Sequence, residues 1–291
     1  MTKKIISSLL ALLTVILLFG GCAKKTEVKI NGTNIDNEVT AYFKATAQEG
    51  EDVNALIARY VAINSEFNNR SLTVPANMRS SLSDDVNSIW NLFGTYYEGL
   101  GISKETIYKI ELSKVYETLL LEERYGENGV SPVSEDDLKE YFRGNYASIR
   151  FVTGYMFEVT ENGTTEMTEK QKDELKQSFN AAADAVNDGT SIEEAVGLLN
   201  SAEIHDTVVN SKGNDNFPDG FWDEVKKIEV NKAAVINLGS YIFLVQKVDS
   251  EKGDYECYSE YKSDCLYQMK GEEFDKIIDA WAKQYAAAGG R

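Results

Sequence analysis

Arg150-Phe151-Val152-Thr153-Gly154-Tyr155-Met156-Phe157-Glu158-Val159 is rich in aromatic and β-branched residues, in a chain that up to this point is spaced for helix. The run closes on Glu161-Asn162-Gly163, so it reads as a strand that ends in a turn. Downstream, Thr168 and Gln171 have capping-box spacing. The helix they open puts Leu175, Phe179, Ala182, Ala183 and Val186 on one face before Gly189 closes it. Ser191 with Glu194 repeats the device for a helix through Val196 and Leu199. His205 falls in the loop region of the middle, near a glycine- and asparagine-rich stretch around Gly213. Phe217-Pro218-Asp219-Gly220-Phe221 then leads into a short helix. Val235–Ile236 and Ser240–Val248 read as two strands joined by Asn237-Leu238-Gly239. That order of elements, within about 100 residues, describes a small α+β domain.

The flanks differ in character. Val28-Lys29-Ile30 alternates and meets Asn31-Gly32, a turn signal, before a helix over Asp36–Gln48. Asp52 can cap a helix whose apolar residues fall at Val53, Leu56, Ile57, Tyr60, Ile63 and Phe67. Residues 68–82 are polar with Pro75 as a breaker, and a second amphipathic helix uses Val86, Ile89, Trp90, Phe93 and Tyr97. Ser103 caps a longer helix that runs out near Gly126, and Ser134 to Asp137 opens another. After the α+β segment, Tyr255–Tyr285 returns to helix with Leu266, Met269, Phe274, Ile277, Ile278 and Trp281 on one face. The expected fold class is therefore α+β: a helical N-domain over 22–147, an inserted α+β domain over 148–250, and a C-terminal helix over 251–291 that packs back on the N-domain.

Residues 1–21 are set apart. Lys3 and Lys4 precede an apolar run from Ile5 to Phe19, and Gly20-Gly21-Cys22 follows, the layout of a secretory signal peptide. The cysteine directly after the glycines makes the segment resemble a bacterial lipoprotein signal. That resemblance implies acylation of Cys22 and cleavage just before it, so that a lipid bilayer holds the body outside the cytoplasm. Phe19 stands where such signals usually carry leucine. An uncleaved anchor is the alternative, with a run shorter than the about 20 apolar residues that span a membrane. The net charge of −17 becomes more negative once Lys3 and Lys4 leave with the leader. Such a body repels nucleic-acid phosphates and anionic head groups, so nucleic acid is excluded as a partner. Cys257 and Cys265 lie eight residues apart in a helical segment, about 12 Å, whereas a disulfide needs Cα atoms within about 7 Å. A bridge would need a break in that helix. One histidine and no zinc-like cysteine spacing leave no metal or other cofactor to expect.

Four stretches, Val28-Lys29-Ile30-Asn31-Gly32, Val133-Ser134-Glu135-Asp136-Asp137-Leu138, Phe217-Pro218 through Phe221 to Val235, and Gly239-Ser240-Tyr241-Ile242-Phe243-Leu244-Val245, make the mature chain resemble the PrsA-type extracellular foldases and the related SurA-type chaperones. Val28-Lys29-Ile30-Asn31-Gly32 is similar to their opening strand and turn, and Val133-Ser134-Glu135-Asp136-Asp137-Leu138 to the acidic helix start before their parvulin domain. Phe217-Pro218 through Phe221 to Val235, and Gly239-Ser240-Tyr241-Ile242-Phe243-Leu244-Val245, resemble the closing half of a parvulin domain. The resemblance implies an inserted parvulin-like module and a role in folding secreted proteins. Active parvulins carry a histidine on the first strand and another on the last. Those positions align here with Tyr155 and Tyr241, and no cysteine lies between residues 150 and 250. The proline-binding floor of the family aligns with Phe217 and Phe221, with Trp222 adjacent, as a client-binding cup or as plain core. The expectation is a chaperone for unfolded or nascent secreted polypeptides with weak or absent prolyl isomerase activity. The alternatives are an active isomerase using the tyrosines or an acid such as Asp206 or Asp215, and a non-enzymatic surface lipoprotein with one docking partner.

Overall fold

Side-chain caps start most of the helices. In the computed structural model, which describes residues 29–30, 33–160, 163–199, 203–212 and 216–288, β1 (Lys29–Ile30) and β2 (Thr33–Asn34) pair antiparallel. The leader and Cys22 lie outside the described residues. Asp36 accepts from the Glu38 amide to open α1 (Asn37–Thr46), and Asp52 accepts from the Asn54 amide to open α2 (Val53–Asn69). α3 (Ala76–Gly99) starts directly after Pro75. The polar stretch expected over 68–82 thus turns helical at Ala76: Pro75 breaks only what precedes it, and Leu82 is already buried in the core. Ser103 caps α4 (Lys104–Tyr125), and Ser134 caps α5 (Glu135–Asn145).

The strand expected to run unbroken to Val159 is two: β3 (Tyr146–Tyr155) and β4 (Phe157–Thr160). The break falls at Met156, whose amide donates to the Ser240 carbonyl at 2.9 Å. β4 then leaves the main sheet and forms a hairpin with β5 (Gly163–Glu166). The full reciprocal capping box of Thr168 and Gln171 opens α6 (Glu169–Asn187), and Ser191 caps α7 (Ile192–Val196). Next come β6 (His205–Asn210), α8 (Phe221–Val225), β7 (Ala233–Leu238), β8 (Tyr241–Lys247), a 3₁₀ turn at Gly253–Tyr255 and α9 (Tyr258–Ala288). The β7–β8 loop is the two residues Gly239-Ser240, with Gly239 at φ 59°, as a type II′ hairpin requires at its first central position.

The architecture is mixed α+β, and the chain divides into two compact units. One takes the chain up to Pro132 and from Leu266 onward; the other is Val133–Cys265. In the first, the N-terminal helices pack with α9. Ile57, Ala58 and Ala62 of α2 share a buried cluster with Ala282, and Tyr125 meets Phe274 edge to face at 6.3 Å. Arg59 donates to Asp275 at 2.6 Å and also to Asp279. A second cluster joins α3 and α4 through Val86, Ile89, Tyr97 and Ile107.

In the second unit the antiparallel sheet has the order β6-β3-β8-β7. One face packs on α6 and α7, with Val152, Ile242 and Leu244 against Phe179, Ala182 and Ile192. The other face packs on α8, with Ile149, Phe243 and Val245 against Phe221, Val225 and Ile228. Cys257 and Cys265 are buried and not disulfide-bonded; the Cys257 sulfur lies 3.1 Å from the Ser148 hydroxyl.

Candidate functional site

Successive strand residues point to opposite faces, so register fixes which side chains meet. On β3, Phe151, Thr153 and Tyr155 share one face, and their partners on β8 are Val245, Phe243 and Tyr241. The two tyrosines singled out from the sequence are therefore direct cross-strand neighbours, with ring centroids 5.7 Å apart and planes at 60°. Tyr155 is 49% exposed and Tyr241 38%.

The pair belongs to a longer row of rings. Tyr155 contacts Phe157 at 5.2 Å, and Tyr241 stacks on Phe243 at 6.0 Å. Phe217 lies 6.0 Å from Phe243 and 5.0 Å from Phe151. Among the expected cup residues, Phe221 is only 3% exposed and belongs to the core under α8. It stacks flat beneath Phe217 at 4.1 Å, so Phe217 is held on a buried platform. Trp222 is half-buried and packs against the same cluster.

His205 corrects the sequence reading. It is not in a loop but is the first residue of β6, opposite Phe151 in register, with its exposed ring 5.5 Å from the phenylalanine ring. Thr207-Val208-Val209 was the available signal for that strand, and the polar residues around it hid it. The imidazole is thus on the aromatic face, at the Phe151 end rather than beside the tyrosines. Asp206, the next residue, points to the other face and accepts from Arg150 at 3.1 Å. Arg150 also pairs with Glu193, so Asp206 serves a structural ion pair. Asp215 lies outside the described residues.

Gly154 fixes the backbone behind the pair. A Cβ there would stand 2.7 Å from both Ile242 Cγ2 and Phe179 Cζ, so the absence of a side chain lets α6 press against β3 just before Tyr155. The front of the strand is left open and the back is closed. What results is a row of rings with two phenol hydroxyls at one end and the His205 imidazole at the other. Turning a prolyl bond means passing a barrier of about 18–20 kcal/mol while amide resonance is lost. A catalyst must favour the twisted amide over both planar forms. Phenol oxygens sit further from the strand than imidazole nitrogens do, so a pair of tyrosines does not reproduce the polar geometry of paired histidines.

Among the described residues no cluster of histidine, cysteine and carboxylate side chains could hold a metal ion, and no helix is long and apolar enough to cross a membrane.

No protein-family model matches the chain, and no curated protein matches it. Solved structures do. The foldase PrsA of Lactococcus lactis matches at 13% identity and a TM-score of 0.39, over 90% of this chain and 93% of its own. The foldase PrsA of Streptococcus pneumoniae matches at 11% identity and a TM-score of 0.40, over 81% of this chain and 82% of its own. PrsA of Bacillus subtilis matches at 12% identity and a TM-score of 0.35, over 80% of this chain and 83% of its own.

Proposed function

We propose that this protein is an extracytoplasmic chaperone that holds unfolded secreted polypeptides and has weak or no prolyl isomerase activity. Acylated Cys22 anchors it to the membrane, and residues 148–250 form the parvulin-like module inserted in the helical domain. The observation that carries the reading is the solvent-facing Tyr155–Tyr241 pair, with half-buried Phe157 against Tyr155 and buried Phe243 beneath Tyr241. Exposed paired rings are a recognition feature, because rings give large contact area at small entropic cost. A chain in transit after export is extended and exposes its own apolar side chains, which is the ligand such a surface fits. The leader supports the location, and the tyrosines in place of the family's histidines support holding over turnover.

The test is aggregation of several unfolded substrates, followed by light scattering with residues 22–291. The wild type is expected to suppress it. Tyr155→Ser with Tyr241→Ser should weaken client affinity about thirtyfold, at roughly 1 kcal/mol per lost aromatic contact. A protease-coupled proline peptide assay should show little or no acceleration by the wild type. Unchanged aggregation in the presence of the wild type overturns the reading. Mass spectrometry of the mature N-terminus tests the anchor, which predicts a diacylglyceryl mass on Cys22.

A further inference from the structure

The helical unit has a cavity of its own, about 270 Å³, between α1, α2 and α4. Its walls include Tyr42, Phe43 and Tyr60, its apolar lining Leu56 and Ile63, and its charged side Glu117. The Phe43 and Tyr60 rings meet at 5.9 Å. The volume lies just under the roughly 300 Å³ at which small-molecule sites begin, which suits one side chain rather than a folded element.

Charge selects the kind of side chain. Two cations line the cavity, and both are already engaged. Arg59 holds Asp275 and Asp279, and Lys114 holds both oxygens of Glu111 at 2.7 and 2.9 Å. Glu51, also on the wall, accepts from the Gln48 amide at 2.7 Å. Glu117 has no hydrogen bond or ion pair among the described residues. Burial pushes its carboxyl above the ordinary range, with Arg59 pulling the other way. A half-buried carboxylate without a hydrogen-bond partner, beside aromatic walls and with the cavity's two cations held by other carboxylates, is complementary to an incoming cation. Rings attract cations through their faces, and a methylene stem suits the apolar lining.

We propose that this cavity receives a lysine side chain of the bound polypeptide, with its ammonium at Glu117 and its stem along Leu56 and Ile63. The inference deepens the chaperone reading and rests on it. It gives the protein a second contact point, selective for basic residues, in addition to the aromatic face.

The test compares two short fluorescent peptides that differ at one position, lysine against N-acetyl-lysine, by anisotropy titration of the full mature chain. Acetylation keeps the stem and removes the charge. The wild type should bind the lysine peptide about tenfold tighter, the scale of one charge-assisted hydrogen bond. Glu117→Gln should close that gap, and Tyr60→Leu should narrow it. Each protein is read against its own pair of peptides, so a general loss of stability does not imitate the result. Equal binding of both peptides by the wild type, or a gap that survives Glu117→Gln intact, overturns this inference and leaves the chaperone reading standing. Failure to bind either peptide, together with failure to suppress aggregation, overturns both.

Discussion

At the scale of single residues, Gly154 shows how tightly α6 closes the sheet behind the exposed Tyr155. Phe179 is 2% exposed and Ile242 fully buried, so neither has room to retreat from an added methyl. Gly154→Ala should destabilise the sheet unit by about 1–3 kcal/mol through overpacking, measured by chemical denaturation. Phe179→Leu should cost stability alone yet cost less in the Gly154→Ala background, because it removes the ring edge the methyl strikes. Strictly additive costs would contradict the contact. Tyr155 and Tyr241 were singled out by the resemblance to parvulins; that they meet is decided by the register of β3 against β8, which the sequence does not display. The depth of Phe221 was not legible either. The Phe217-Pro218-Asp219-Gly220-Phe221 turn does not reveal which ring lies deeper; packing on the sheet puts Phe221 beneath and Phe217 above it.

At the scale of elements, a carboxylate joins α1 to the start of α4. Glu38 accepts from the Ser103 amide at 2.8 Å and from the Thr106 hydroxyl at 2.6 Å, with the Ser103 hydroxyl also in reach. Those hydrogen bonds, the Ser103 hydroxyl first, hold its carboxyl below the ordinary value of 4.5. A lowered folded-state value means the contribution is fully present above that ordinary value and is lost as pH falls through the folded one. Stability of the helical unit should therefore decline in acid below about pH 4.5. Glu38→Gln should cost about 1 kcal/mol at neutral pH, given its partial exposure, and flatten that decline. Melting curves across pH check this, and an unaltered acid limb in the variant would contradict it. The caps show what local sequence determines well: Asp36, Asp52, Ser103, Ser134, Thr168 and Ser191 all start helices. β6 was missed because its edge position lets polar His205 and Asp206 sit among its β-branched residues. The break at Met156 was missed because it depends on a backbone bond to Ser240, 84 residues along the chain.

At the scale of the whole molecule, two units with separate cores divide the chain, and each carries a surface that the other does not. The sheet unit presents rings; the helical unit presents an aromatic cavity with Glu117 on its wall. The change of periodicity near Ile149 marks where strands enter a helical chain, whereas the core of the sheet unit combines strands with α6, α7 and α8, which periodicity alone does not display. The cavity was not legible, since Phe43, Leu56 and Glu117 are brought together only by three helices packing. The net charge of −17 favours basic over acidic partners. The account stands on the claim that an unfolded chain rests on the rings of the sheet, and photo-crosslinking tests that contact directly. A photoreactive phenylalanine analogue replaces Tyr155 in one preparation and Leu92, a 63% exposed residue of α3, in another. Irradiation with an unfolded client should yield a crosslinked product from position 155 and little from position 92. Crosslinking from position 92 alone, or equally from both, would contradict it.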